Sequence, residues 1–308
     1  MRVAVVFPGQ GTQAPGMGQP WRDHPSWAVA ERAEEAFGEP LTSLVVDAPA
    51  EQLARTRDAQ LAVLCTSLVA WDAVKDRLGD SGEVVGFAGH SLGQVTALIA
   101  SGALGHDDGV RFAARRAEAT QAAADAAPGR MAALLGATLE QADAVCASAG
   151  GECWVANDNA PGQVVIAGTP AGIEQALTAT REHGVRRATP LNVGGAFHTP
   201  LMRPASDPID AALADVGWSP PAAPVMSNED AQAYDDTSGW RERLVRHVTT
   251  LVRWRETMEN LAALGATHLV EVGHGTMIAG LAKRTIPDVT VINIATPADL
   301  ENLTAARA

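Results

Sequence analysis

Val84-Val85-Gly86-Phe87-Ala88-Gly89-His90-Ser91-Leu92-Gly93 sets a short apolar run directly before a glycine-flanked serine. Val84 to Ala88 reads as a buried strand. Beyond Gly93, Val95, Leu98, Ile99 and Gly102 recur at helical spacing, with Thr96 and Ser101 on the other face. A serine at a strand-to-helix corner, with glycines two before and two after, fits a nucleophile elbow. The glycines permit the sharp turn and the close approach of neighbouring backbone. The helix N-terminus then aims the free N–H of Leu92 at an oxyanion formed on an acyl group attacked by Ser91. The bland alternative is a glycine-rich loop with a chance serine, and the flanking strand and helix weigh against it.

Before this corner the chain alternates strand and helix: Val3 to Phe7 as a strand, a helix near Trp27 to Ala36, and another near Ala59 to Leu78. That is an α/β pattern with parallel strands. A helix from Asp107 to Ala124 follows, ended by Pro128-Gly129. The rhythm then changes. Strands at Met131 to Leu135, Cys153 to Ala156, Val164 to Ala167 and Arg187 to Leu191 are interleaved with helices at Leu139 to Ala147 and Pro170 to His183. The order β-α-β-β-α-β is the ferredoxin-like signature. Alternation resumes with a strand at Val225-Met226-Ser227 and helices at Ser238 to Val248 and Val252 to Leu264. Strands at His268 to Val272 and Val289 to Ile294 complete it. The expected fold is a large α/β-hydrolase-like domain with a parallel sheet, residues 1–127 and 194–308. A small ferredoxin-like α+β domain, residues 128–193, is inserted into it.

At 308 residues the chain can bury a large core and hold one big domain or two. A hydrophobic content of 46% with 19% charged residues describes an ordinary soluble globular protein. The net charge of −13 argues against nucleic acid or an anionic membrane as partner, and an acidic partner would need a local basic patch. No stretch approaches a membrane span, and Met1 to Pro8 is too short an apolar run for a signal peptide. Cys65, Cys146 and Cys153 follow no metal spacing and predict free thiols in a reducing cytosol. No metal or organic redox cofactor is expected. The seven tryptophans are scattered and read as packing anchors, and no internal repeat is present.

A serine nucleophile needs a base. His24, His106, His183 and His268 sit among polar or loop-like residues, and His90 at the corner should point away from Ser91. His198 lies between Gly194-Gly195-Ala196-Phe197 and Thr199-Pro200, with tight backbone on one side and a rigid turn on the other. His247 and His274 compete with it, and the residues alone leave the choice open. Arg116, beside Arg115, reads as readily as a solvated helix arginine as a binding residue.

Taken together, the motifs resemble those of the malonyl-CoA:acyl-carrier-protein transacylases of fatty acid and polyketide synthesis, nearly end to end. The likeness is carried by Phe7-Pro8-Gly9-Gln10-Gly11-Thr12-Gln13, by Gly89-His90-Ser91-Leu92-Gly93, and by Arg116 at the family's distance from the elbow. Asn159-Ala160-Pro161-Gly162-Gln163-Val164-Val165-Ile166-Ala167-Gly168 and Gly195-Ala196-Phe197-His198-Thr199-Pro200-Leu201-Met202 continue it. Glu271-Val272-Gly273 with Gly280-Leu281-Ala282-Lys283-Arg284 completes it. A lone G-x-S-x-G is weak; these six in this order are specific.

The resemblance implies a dyad in which Ser91 is the nucleophile and His198 the base, oriented by a main-chain carbonyl in the region of His247. It implies an oxyanion hole from the backbone N–H groups of Gln10 and Leu92. Arg116 receives the free carboxylate of malonyl, because a guanidinium fork binds both oxygens. Phe197 fills the space an α-methyl would need, and Asn159 and His247 are further substrate-binding candidates. A ping-pong transfer follows, with CoA a substrate rather than a cofactor, an acyl carrier protein as second substrate, and a cytoplasmic monomer as the family default. Arg186-Arg187 and Lys283-Arg284 are the candidate basic patch for the carrier. The chain departs from the family pattern at His247 (usually Gln or Asn), Thr250-Leu251-Val252 (usually Asn-Pro-Val), His274 (usually Pro) and Gln94 (commonly Glu). Two other classes stay open. One is a serine esterase or acyl-hydrolase, against which Arg116 speaks, since a plain acyl chain would leave a buried guanidinium unpaired. The other is an idle docking module, disfavoured because Ser91 and His198 are both retained.

Overall fold

The computed structural model describes residues 1–306, so the last two residues of the expected large-domain segment, 307 and 308, lie outside the described residues. Ten strands are formed among them: β1 Arg2–Phe7, β2 Glu83–Gly89, β3 Arg130–Leu135, β4 Cys153–Ala160, β5 Gln163–Gly168, β6 Arg187–Pro190, β7 Val225–Met226, β8 Ala233–Tyr234, β9 His268–Val272 and β10 Thr290–Ile294. They make two sheets, one of order β10-β9-β1-β2-β7-β8 and one of order β4-β5-β3-β6.

The first sheet is parallel except at its short β7–β8 edge. Its central strand shows why. Val3 through Phe7 are all fully buried, as expected of a strand covered by helices on both faces. Successive side chains alternate between the two layers. Val3, Val5 and Phe7 join a core shared with helices Ala28–Phe37, Thr56–Ser81, Leu92–Ala100 and His106–Ala126, while Ala4 and Val6 join one shared with helices Trp254–Ala263 and Met277–Thr285. Burying a Val- or Phe-sized side chain stabilises by roughly 1.5–3 kcal/mol, and a slip of one residue would exchange the two faces. The register is therefore strongly specified. The loops after β1, β2 and β9 all leave from the carboxyl edge of this sheet, where open α/β sheets bind ligands.

The second sheet is antiparallel throughout. Its helices, Leu139–Ala147 and Pro170–Ala179, begin at threonine caps: Thr138 closes a capping box with Gln141, and Thr169 Oγ1 accepts from Gly172 N. Both helices cover one face, with Ala132, Leu134, Val164 and Ile166, while Met131, Ala133, Val165 and Ala167 form the opposite face with Ala196. The outer strand is tied to the first sheet's layer. Asp158 N donates to Val252 O and Val252 N to Ala156 O, both at 2.9 Å, and Arg255 pairs with Asp158 at 2.9 Å.

Two boundaries differ from the sequence reading by four residues. β4 runs on to Ala160, although Asn157-Asp158-Asn159 has the composition of a loop; those polar groups are buried because β5 and Val252 pair with them on either side. The second helix stops at Ala179 rather than His183, where the chain turns through Gly184 at φ 76° and Val185 N bonds Thr180 O. The short helices Leu41–Asp47, Ser206–Ala212 and Leu300–Ala305 and the strand β8 carried too few residues to show periodicity. Cys65, Cys146 and Cys153 are all free and buried, with the Cys146 and Cys153 sulfurs 3.4 Å apart.

Candidate active site

The turn after β2 is sterically forced. A Cβ on Gly89 would collide with the Gly93 carbonyl, and one on Gly93 would collide with the Phe7 carbonyl. Ser91 between them sits at φ 53°, ψ −104°, a region that residues with side chains rarely adopt. Such strain persists where the surroundings over-determine it. The helix Leu92–Ala100 starts at the next residue. Among the described residues, neither the Leu92 N–H nor the Gln10 N–H has an acceptor within the protein.

The Ser91 hydroxyl meets His198 Nε2 at 2.7 Å, and His198 Nδ1 meets the His247 carbonyl oxygen at 3.0 Å. A carbonyl can only accept, so Nδ1 carries the proton and the Nε2 lone pair faces the serine. Burial pushes His198 down to about 3, helped by the positive charge of Arg116 and opposed by the His247 carbonyl bond. The His198 imidazole is therefore neutral across the ordinary pH range, with its Nε2 lone pair toward Ser91.

Arg116 lies on the helix His106–Ala126 and is only 5% exposed. Its Nη2 donates to Ser91 Oγ at 3.2 Å and its Nη1 to Gln60 Oε1 at 2.5 Å. Gln60 Nε2 in turn donates to Thr120 Oγ1 at 3.0 Å. Among the described residues no carboxylate pairs with this guanidinium, and burial draws it down to about 10, which leaves it charged at neutral pH. Burying an unpaired cation is costly. An anion placed in this cavity would pair with it.

These groups line one cavity of about 430 Å³ between the carboxyl edge of the first sheet and the open face of the second. Ser91, His198, Arg116 and Gln60 are its polar end, and Met131, Ala133, Val165, Phe197 and Met277 its apolar wall. Gln10, Leu92 and Asn159 also line it. His90 turns away from the dyad as expected: its Nε2 meets Asn159 Oδ1 at 2.8 Å and its ring packs edge-on to Trp254 at 5.4 Å. Among the described residues no group of three or more His, Cys, Asp or Glu could hold a metal ion, and no helix is long and apolar enough to cross a membrane.

Of the residues singled out in the sequence, Ser91, His198, Arg116, Gln10, Leu92, Phe197 and Asn159 come together at this cavity. His247 corrects an expectation. It does not line the cavity; its ring is 1% exposed and packs against the ring of His198 at 4.7 Å, with only its carbonyl in use. Burial and the neighbouring His198 hold it well below the usual histidine range. His274, the other competitor for the base, donates through Nδ1 to the Thr12 carbonyl at 2.7 Å and so clamps the loop that carries Gln10. Two residues escaped the sequence reading: Gln60, which holds Arg116, and Asn228, whose Oδ1 accepts from Ser91 N at 2.8 Å; Gln94, noted there only as a departure from the family pattern, accepts through Oε1 from Asn228 N at 2.6 Å. Neither Gln60 nor Asn228 left a signal in composition or spacing.

The cations at the far end of the second sheet share one level. Arg187 pairs in register with Leu135, which pairs with Gln163, and Arg284 Nη2 donates to Gln163 Oε1 at 2.5 Å. Arg186, Arg187, Lys283 and Arg284 are all exposed.

Known proteins resemble this chain in both sequence and overall fold. The family model for the acyl transferase domain matches residues 4–299. The malonyl CoA-acyl carrier protein transacylase of Bacillus subtilis is 36% identical over 306 residues, covering 97% of this chain and 95% of the relative. That of Synechocystis is 38% identical over 309 residues, covering 98% and 100%. Among solved structures, the malonyl-CoA:acyl carrier protein transacylase of Xanthomonas oryzae superposes with a TM-score of 0.93 at 38% identity over 99% of both chains. A malonyl-transacylase solved in complex with its type II polyketide synthase acyl-carrier protein has a TM-score of 0.93 at 31% identity, covering 99% of this chain and all of that one. A match over nearly the whole length, with relatives above a third identical, means that the chain belongs to the acyl transferase domain family.

Proposed function

We propose that this protein transfers a malonyl group from malonyl-CoA to the phosphopantetheine thiol of an acyl carrier protein through a malonyl ester on Ser91. The observation that carries this reading is Arg116, a buried cation with no carboxylate partner among the described residues, 3.2 Å from Ser91 Oγ. The names of the relatives point the same way. In the first half-reaction Ser91 Oγ attacks the thioester carbonyl while His198 Nε2 takes its proton. The N–H groups of Leu92 and Gln10 receive the oxyanion, and Arg116 grips the malonyl carboxylate. The C–S bond then breaks, and the CoA sulfur leaves with the proton held by His198. In the second half the carrier thiol gives its proton to Nε2 and attacks the ester carbonyl, and Ser91 Oγ leaves and recovers the proton. CoA is a substrate throughout, and no step calls for a metal or redox cofactor.

We read residues 128–193 as a small ferredoxin-like domain inserted into an α/β-hydrolase-like domain of residues 1–127 and 194–308. The strand order β4-β5-β3-β6 with both helices on one face supports the first, and the elbow at the end of β2 the second. The exposed cations around Gln163 suit the docking of an acidic carrier at the cavity's end. Three buried free thiols fit a cytoplasmic setting. Incubation with radiolabelled malonyl-CoA, with and without carrier protein, tests the function. A transferase labels the carrier, a hydrolase releases malonate, and a docking module does neither.

A further inference from the structure

The strained backbone of Ser91 is held by a closed ring of hydrogen bonds that lies outside the dyad. Ser91 N donates to Asn228 Oδ1 at 2.8 Å, Asn228 N donates to Gln94 Oε1 at 2.6 Å, and Gln94 N donates to Ser91 O at 3.1 Å. Asn228 is fully buried and Gln94 is 1% exposed. Asn228 follows β7, the strand next to β2, and its carbonyl accepts from Arg253 N at 2.9 Å, so its backbone is fixed on both sides. Two backbone donors meet these amides, which assigns their oxygens to the ring. The remaining amide nitrogens, Asn228 Nδ2 and Gln94 Nε2, have no partner among the described residues. The ring therefore uses each amide as an acceptor only.

We propose that Asn228 and Gln94 are positioning residues for acyl transfer, fixing the Ser91 backbone so that Oγ faces His198. A second consequence concerns the oxyanion. The Ser91 N–H is directed at Asn228 and withdrawn from the cavity, which leaves the oxyanion to the N–H groups of Leu92 and Gln10 alone. A nucleophile misplaced by about 1 Å can lose on the order of a hundredfold in rate. Removing an acceptor from the ring should thus slow the chemical step without weakening the hold on malonyl-CoA.

The inference rests on the reading of Ser91 as nucleophile, so Ser91→Ala is assayed beside the ring variants. Pre-steady-state acylation by malonyl-CoA, KM and thermal unfolding are measured for Asn228→Ala, Gln94→Met and Gln94→Glu. Asn228→Ala and Gln94→Met should each slow acylation about tenfold or more with KM changed less than about twofold. Gln94→Glu keeps the acceptor oxygen and should recover the rate to within about threefold. Gln94→Met alone decides the matter if Asn228→Ala unfolds. Wild-type acylation rates in the folded variants overturn the proposal, as does a Gln94→Glu rate as low as that of Gln94→Met. Acylation of Ser91→Ala would instead overturn the assignment of the nucleophile on which the ring's role depends.

Discussion

Arg57 and Arg116 stand on two helices packed together, each beside a cavity, in opposite surroundings. Arg57 borders a cavity of about 300 Å³ with Glu39 and Asp58 among its walls. It pairs with Glu39 at 2.7 Å, Asp58 at 3.3 Å and Glu118 at 3.8 Å, and lies over the Phe37 ring. Burial pulls its guanidinium down, but the hydrogen bonds and charges of Glu39 and Asp58 outweigh that and hold it above the ordinary value. Arg116 is the more deeply buried and has, among the described residues, neutral partners only, Gln60 and the Ser91 hydroxyl. One cavity is complete within the protein. The other holds a cation with no carboxylate partner among the described residues, beside the Ser91–His198 pair.

The sharpest way to break the contrast is to remove the chemistry that accompanies Arg116. Ser91→Ala should abolish covalent labelling by malonyl-CoA while leaving the fold intact. Intact-protein mass spectrometry showing a malonyl adduct on that variant would sink the assignment. The next effect tests whether a neutral partner holds the cation in place. Hydrogen bonds to charged groups contribute about 1.5–3 kcal/mol, so Gln60→Leu should lower kcat/KM for malonyl-CoA by about tenfold or more. Acetyl transfer should change much less, and steady-state kinetics with both donors checks the difference.

The pH profile sharpens the electrostatic side. His198 is held down at about 3, so its neutral, active form persists well below the ordinary histidine value. The rate of Ser91 acylation should stay level from neutral pH to about pH 5, where an unperturbed histidine near 6.5 would already be largely protonated. Stability runs the other way. The unfolded chain takes up a proton at this position near the ordinary value and the folded one does not, so the contribution present above that value is lost as pH falls toward about 3. An acid limb with a midpoint near 6.5 in a folded enzyme would contradict the neutral base.

Smaller effects belong to the exposed cations. Charge reversal at Arg187 and Lys283 should raise KM for the carrier protein several-fold while leaving acylation by malonyl-CoA nearly unchanged. The carrier effect should shrink with salt, since exposed charges are screened beyond about 8–10 Å. Equal weakening of both half-reactions would assign the patch to CoA. Smallest is Arg57→Ala. Partly exposed ion pairs contribute about 0–1 kcal/mol each, so a modest fall in Tm and unchanged transfer rates are expected. A selective loss of malonyl transfer would erase the distinction between the two arginines.

What the sequence revealed follows the same division between local and distant contacts. Glycine spacing and the switch from strand to helix period lie within a few residues, so the elbow and its serine were readable at once. Arg116 was not, because Arg115 beside it has the same helical context and only tertiary burial separates an exposed arginine from a buried one. The loop around His198 left it one candidate among several and only the resemblance singled it out, while the carbonyl it meets, at His247, lies 49 residues away. Gln60 is 56 residues from Arg116 and Asn228 is 137 from Ser91. Neither separation leaves a pattern in composition or period. The polar run of β4 misled for a related reason: its partners on both sides are supplied by other parts of the chain.

In the proposed function, the carboxylate of the acyl group completes Arg116. Competition between malonyl-CoA and acetyl-CoA, read as the ratio of kcat/KM for the native protein and for Arg116→Ala, tests it most directly. A lost bidentate pair at about 1.5–3 kcal/mol per charged hydrogen bond predicts a fall in malonyl transfer of at least about two orders of magnitude. Acetyl transfer should be spared or improved, because a buried unpaired cation has been removed. If malonyl and acetyl rates fall together and the ratio stays constant, Arg116 serves the fold rather than the substrate, and the account is wrong.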